Sequence, residues 1–226
     1  MSVTVPSALV DYRNVIRVIG FDLDQTLYPK SPAVDEAIQR YILEKVAAEK
    51  NCTPGEASAL FQDLYRGGKG LSGSQTLTAL GVPNGKEIVQ EALERANIAD
   101  TLSPDKGAIE LLFDLKMRYE GLDLITGSSA VNAEKKLRAL MIPKELFGHC
   151  ITADDASKSD GSAYQRWLTY YHLGPEQFLY IGDRVMSDCE IPRRLGIHSI
   201  LVNIATPDMA LDVLQLSSLL GIRQYL

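Results

Sequence analysis

Four short apolar runs set the strongest limit on how this chain can fold: residues 15–21, 122–126, 178–181 and 199–202, with a weaker fifth at 148–152. Each is short and apolar at nearly every position, the pattern of a parallel strand covered on both faces. Helical patterns separate most of them, which is the βαβ signature of an α/β sheet. From residue 22 to residue 121 no strand pattern occurs, and the stretch reads as helices. Ser31-Pro32 is an N-cap with proline at the first helical position, followed by Val34, Ala37, Ile38, Tyr41, Ile42 and Val46 at helical spacing. Thr53 and Glu56 form a capping box ahead of Leu60, Phe61, Leu64 and Tyr65, and Gly67-Gly68 stops that helix. Asn84 and Glu87 open a further helix to about residue 97, and Ser103-Pro104 opens one to about residue 119, with Gly121 as its stop. The expected architecture is an α/β core of residues 1–29 and 103–226 with a parallel sheet, interrupted by a small α-helical domain over residues 30–102. Pro29 and residues 99–104 are the expected hinges, and residues 208–220 the expected closing helix.

Composition excludes several function classes. A formal net charge of −6 over 226 residues leaves no basic surface for a nucleic acid polymer. Any anionic substrate must therefore be neutralised locally. Cys52, Cys150 and Cys189 lie far apart with no CxxC, so neither a zinc site nor a disulfide framework is expected. No apolar run reaches membrane-spanning length, and residues 1–7 lack a basic segment followed by an apolar one. No membrane partner and a cytoplasmic location are expected.

The polar residues that end the strand-like runs carry the chemistry. Asp22 and Asp24 follow the first run, and residues two apart on extended chain face the same way. Both carboxylates can meet at the carboxyl edge of the sheet, where open α/β folds bind ligands. A hard cation such as Mg²⁺ would relieve their repulsion. Thr126, Gly127 and Ser128 end the second run at the start of a helix, a natural anion cradle. Gly182-Asp183 ends a third run, with Asp188 five residues on. Lys158 precedes a helix carrying Tyr164, Trp167, Leu168 and Tyr171.

In this order and spacing, the DxDxT of residues 22–26, the strand-ending Thr126, Lys158 and the GDxxxxD of residues 182–188 resemble the four motifs of the haloacid dehalogenase superfamily. The resemblance covers the whole core and implies a Rossmannoid sheet, with the helical insertion as a C1-type cap whose loops set specificity. It implies a phosphatase with Asp22 as nucleophile and Asp24 as general acid and base. Thr126, Gly127, Ser128 and Lys158 would hold the phosphoryl group. Asp22, Asp24 (through its carbonyl) and Asp183 would hold Mg²⁺, supported by Asp188. The substrate would be a small phosphorylated metabolite, and the protein a monomer or homodimer. Gln25 stands where relatives carry Gly, Asp or Asn, and Gly127-Ser128 where many carry Asn. The stretch from Phe21 to Ser31 is similar to the start of pyrimidine 5′-nucleotidases, as more loosely are residues 64–77; Asp183-Arg184 departs from their pattern. Competing readings are a phosphomutase on the same fold, a dehalogenase, and a non-catalytic binding protein that retains the fold. Arg66, Lys69, Ser72, Ser74 and Gln75 read as a polar loop, and His149, His172 and His198 as structural.

Overall fold

The computed structural model describes residues 12–29, 32–65, 71, 73–95 and 98–226, with the backbone alone at 90 and 93–95. The expected cap at Ser31, the stop at Gly67-Gly68, the candidates Arg66, Lys69 and Ser72, and the N-terminal segment lie outside the described residues. The chain divides into two compact units, Met1–Lys30 with Ser103–Leu226, and Ser31–Leu102.

The first unit is built on a six-stranded parallel sheet in the order β3-β2-β1-β4-β5-β6. Its strands are β1 (Val18–Phe21), β2 (Gly121–Ile125), β3 (Cys150–Ile151), β4 (Phe178–Gly182), β5 (His198–Leu201) and β6 (Leu214–Gln215). Every residue of β1, β2 and β4 is buried, which is why these segments are apolar throughout. Phe21 pairs with Leu124 on one side and Ile181 on the other. That register brings the carboxyl ends of the three central strands to one edge, at the switch point where strand order reverses.

Helices α1 (Tyr12–Val15), α6 (Lys106–Arg118), α7 (Ala130–Ala139), α8 (Ser162–Leu168) and α9 (Ile191–Arg194) complete this unit. Helix α8 presents Tyr164 and Trp167 to the sheet, packed with Phe178 and Tyr180. Gly20 of β1 makes room: a Cβ there would lie 2.7 Å from the Trp167 ring. The buried Asp123 of β2 accepts bonds from Trp167 Nε1 at 2.7 Å, Tyr171 Oη at 2.7 Å and the His149 amide at 2.8 Å. Three donors satisfy that carboxylate, so it serves to fasten α8 to the sheet.

The second unit consists of α2 (Pro32–Lys50), α3 (Pro54–Leu64), α4 (Gly73–Ala79) and α5 (Gly85–Arg95), with a 3₁₀ turn at Ile98–Thr101. Ile42, Val46, Ala57, Phe61, Leu77, Val82 and Ala92 form its own core. The capping box is present: Thr53 N–H donates to Glu56 Oε2 at 2.9 Å and Glu56 N–H to Thr53 Oγ1 at 3.3 Å.

Four expectations need correction. Residues 208–220 do not form a helix: Leu214–Gln215 is strand β6 on the open edge of β5, and Leu219–Gln224 is a 3₁₀ turn. Val213, Leu214 and Leu216 are buried, and β5 supplies backbone partners that a helix could not use. Gln215 holds the preceding loop, donating to the Asp208 carbonyl at 2.7 Å and accepting from the Asp208 amide at 2.9 Å. Helix α6 starts at Lys106, because the Asp105 carboxylate, not Ser103, accepts from the amides of Gly107 and Ala108. Gly121 does not stop that helix but begins β2, where a Cβ would lie 2.4 Å from Tyr171 Oη. The first strand is shorter than its apolar run, since Val15 belongs to α1 and is exposed.

Candidate active site

The first strand ends in a tight loop. Asp22 donates its amide to the Ile181 carbonyl, and the chain then turns through Gln25 with φ at +59°. This left-handed conformation accounts for the Gly, Asp or Asn that the resembling family favours at that position. Asn203, just beyond β5, clamps the turn by donating to the carbonyls of Gln25 at 2.8 Å and Thr26 at 3.2 Å.

Lys158 joins the first and fourth motifs. Its Nζ lies 2.8 Å from Asp22 Oδ1 and 2.7 Å from Asp188 Oδ1. All three side chains are nearly or fully buried. Asp188 sits on a π-helical turn, Val185–Glu190, and its other oxygen accepts the amides of Asp183 at 3.2 Å and Arg184 at 3.0 Å. Such turns recur at functional sites because they re-aim one side chain. Gly182 permits the approach: a Cβ there would lie 2.4 Å from Asp188 Cβ.

Oxygen atoms of Asp22, Asp183 and Asp188 lie within 4.8 Å of one another. Lys158 faces Asp22 and Asp188, and the Arg184 guanidinium lies 4.0 Å from Asp183 Oδ1, so three carboxylates meet two cations and carry a net negative charge when all are ionised. Burial pushes Asp22 up to about 7, with Lys158 pulling the other way. Burial likewise pushes Asp183 up to about 6, and Arg184 only partly offsets it. Lys158 is drawn down by burial, but the Asp22 and Asp188 carboxylates outweigh this and hold it protonated. The Asp183 Oδ1 atom is buried without a hydrogen-bond partner. A buried oxygen with no hydrogen bond, in a group of three acids that two cations do not fully neutralise, fits a divalent oxygen-loving cation.

Asp24 has a different set of hydrogen-bond partners. Its Oδ1 accepts from Lys136 Nζ at 2.5 Å and Tyr28 Oη at 2.6 Å, and its Oδ2 from Ser128 Oγ at 2.6 Å. Burial disfavours its charge, but Lys136 with the Ser128 and Tyr28 bonds outweighs this and holds it below the usual carboxylate range. Thr126 is buried at the end of β2, its Oγ1 accepting the Ser128 amide at 3.0 Å. Gly127 is exposed, with open space around the place a Cβ would occupy. Of the eight residues expected from sequence, Asp22, Lys158, Asp183 and Asp188 form one cluster, and Asp24 and Ser128 a second. Sequence reasoning missed Tyr28, Lys136 and Asn203. Lys136 had a signal, since Ala133, Lys136, Leu137 and Leu140 trace one helical stripe and a lysine inside it is out of place.

The haloacid dehalogenase-like hydrolase family model matches residues 16–196. The chain belongs to that family and is an enzyme of its phosphatase class. It is 26% identical over 195 residues to glyceraldehyde 3-phosphate phosphatase of Methanocaldococcus jannaschii, covering 83% of this chain and 85% of that one. Its fold is similar to a HAD phosphatase from Thermococcus onnurineus, with a TM-score of 0.65 at 19% identity, covering 92% of this chain and 97% of the other. It is similar too to a 2-haloacid dehalogenase from Pseudomonas syringae, with a TM-score of 0.55 at 18% identity, covering 93% and 97%. One fold thus carries different chemistries, and the choice of reaction rests on the site.

Proposed function

We propose that this chain is a Mg²⁺-dependent phosphatase of small phosphate monoesters, with Asp22 as the nucleophile. The observation that carries this reading is the buried Asp22 carboxylate bonded to Lys158 beside Asp183 and Asp188. A dehalogenase needs a carboxylate nucleophile but no cation, and would gain nothing from two further buried acids. Asp22, Asp183 and Asp188 are the side chains that would hold Mg²⁺, with the Asp24 carbonyl as a further ligand. Bound there, the ion would offset charge on the carboxylates and on the phosphoryl oxygens.

The protein's own groups account for the chemistry. Asp22 attacks phosphorus in line, the ester oxygen leaves with a proton from Asp24, and an aspartyl phosphate remains. Thr126, the open backbone at Gly127 and Lys158 receive the phosphoryl oxygens. Asp24 then takes a proton from the water that releases phosphate, acid–base help worth about 10²–10⁴ in rate. The expected result is turnover of p-nitrophenyl phosphate that is lost in EDTA and restored by Mg²⁺; turnover indifferent to EDTA would end the proposal. The sequence likeness to pyrimidine 5′-nucleotidases makes nucleoside 5′-monophosphates one substrate class to screen for phosphate release. The curated relative makes triose phosphates another.

The site also predicts a pH-dependent stability. Between about pH 4 and about pH 7 the folded protein retains protons on Asp22 and Asp183 that the unfolded chain has lost, so metal-free stability falls as pH rises. His198, held below its ordinary value by burial, works in the opposite direction. Mg²⁺ binds the ionised carboxylates and removes the carboxylate contribution. The melting temperature should therefore rise more on adding Mg²⁺ at about pH 8 than at about pH 5. An equal rise at both would contradict this account.

A further inference from the structure

Lys136 is buried on α7, 8 residues beyond Ser128, and its ammonium lies 2.5 Å from Asp24 Oδ1 and 2.9 Å from Ser128 Oγ. A lysine ammonium can only donate. Tyr28 Oη also points at Oδ1, and Ser128 Oγ, already receiving from Lys136, directs its own hydrogen to Oδ2. Three donors therefore surround the Asp24 carboxylate, which accepts from each of them. Two occupy Oδ1 and one occupies Oδ2. A carboxylate offers about four acceptor positions, so the free one lies on Oδ2. The three bonds fix the orientation of the carboxylate and leave its one open position, on Oδ2, for a reacting proton.

We infer that Lys136, with Tyr28 and Ser128, is a positioning clamp for the second half of the reaction, holding Asp24 as the base that activates water against the aspartyl phosphate. The inference rests on the phosphatase reading above. In the step it serves, the water oxygen bonds to phosphorus as the bond from phosphorus to the Asp22 oxygen breaks. One water proton passes to Asp24 Oδ2, the other stays on the departing phosphate, and Asp22 is regenerated as a carboxylate. Lys136 acts through Asp24, to which its ammonium is bonded.

The two half-reactions separate kinetically with p-nitrophenyl phosphate, whose leaving group needs little acid assistance. Its kcat/KM reports steps up to release of p-nitrophenol, whereas kcat also includes hydrolysis of the phosphoenzyme. Lys136→Met should lower kcat about 10²-fold and leave kcat/KM nearly unchanged. KM then falls in parallel, and a burst of p-nitrophenol stoichiometric with enzyme precedes the slow steady state. Tyr28→Phe removes one hydroxyl without changing the ring, so it folds readily; the same split should appear at about 10-fold. Equal losses in kcat and kcat/KM without a burst, or no loss in either variant, would overturn the clamp. Absence of turnover in the wild-type protein would instead refute the phosphatase reading on which it rests.

Discussion

Replacing Asp22 with Asn should abolish phosphate release from every monoester while making the folded protein more stable without metal. An amide has no nucleophilic oxygen able to form the acyl phosphate, and removal of a nucleophile costs about 10⁴–10⁶ in kcat. The usual objection to such a result is misfolding, and here the electrostatics answer it in advance. Asp22 is buried beside Asp183 and Asp188, and burial already pushes its carboxyl up to about 7. A neutral amide of the same shape relieves that desolvation, and its carbonyl oxygen can still accept the bond from Lys158. Thermal melts at about pH 8 in EDTA should therefore place the variant above the wild type, whereas Mg²⁺ should raise the variant's melting temperature less. Full activity in Asp22→Asn would remove the nucleophile from the proposal. Lost activity with a lower melting temperature would show that the charge balance of the site has been misjudged.

How far these groups were legible in the sequence differs for each, and for physical reasons. The central strands were readable because burial on both faces forces apolar residues at successive positions, as in Phe178–Gly182. Asp22 and Asp183 were readable because they follow such strands directly, and the parallel register brings their ends together. Strand β6 was misread because residues 211–216 alternate in a way that suits a strand or a helix. The free edge of β5, a tertiary fact, decides between them. Tyr28 is a local partner of Asp24, 4 residues on, but the rest of the clamp spans sequence separations of 104 to Ser128 and 112 to Lys136, which no local spacing encodes. Only its trace survives locally, as a lysine on the buried stripe of α7. Asp188 was placed as a supporting residue by the resemblance of residues 182–188 to the family's GDxxxxD motif. Its full role depends on the π-helical turn and on the absence of a side chain at Gly182, and neither is a pattern of residue types.

Lys158→Ala should be the most destabilising single change in the site, with a loss of about 3–5 kcal/mol when metal is absent. The ammonium lies 2.8 Å from Asp22 and 2.7 Å from Asp188, and both carboxylates are buried. Without it, Asp188 keeps the two backbone amides and the Ser187 hydroxyl that bond it, but no cationic partner at Oδ1. Asp22 loses the hydrogen bond and the charge that partly offset its burial. The remaining three-acid group can recover only by binding protons or a cation. Two outcomes follow that a simple packing defect would not give. The deficit measured by denaturant unfolding in EDTA should shrink as pH is lowered from about 8 to about 5, because protonated carboxyls need no partner. It should also shrink on adding Mg²⁺ at about pH 8, by more than the same addition stabilises the wild type. Activity should stay low after this rescue, since Mg²⁺ restores charge balance but not the donor offered to the phosphoryl oxygens. A deficit independent of both pH and Mg²⁺ would mean that Lys158 supports the fold by packing alone, and that the acids it joins do not share one site.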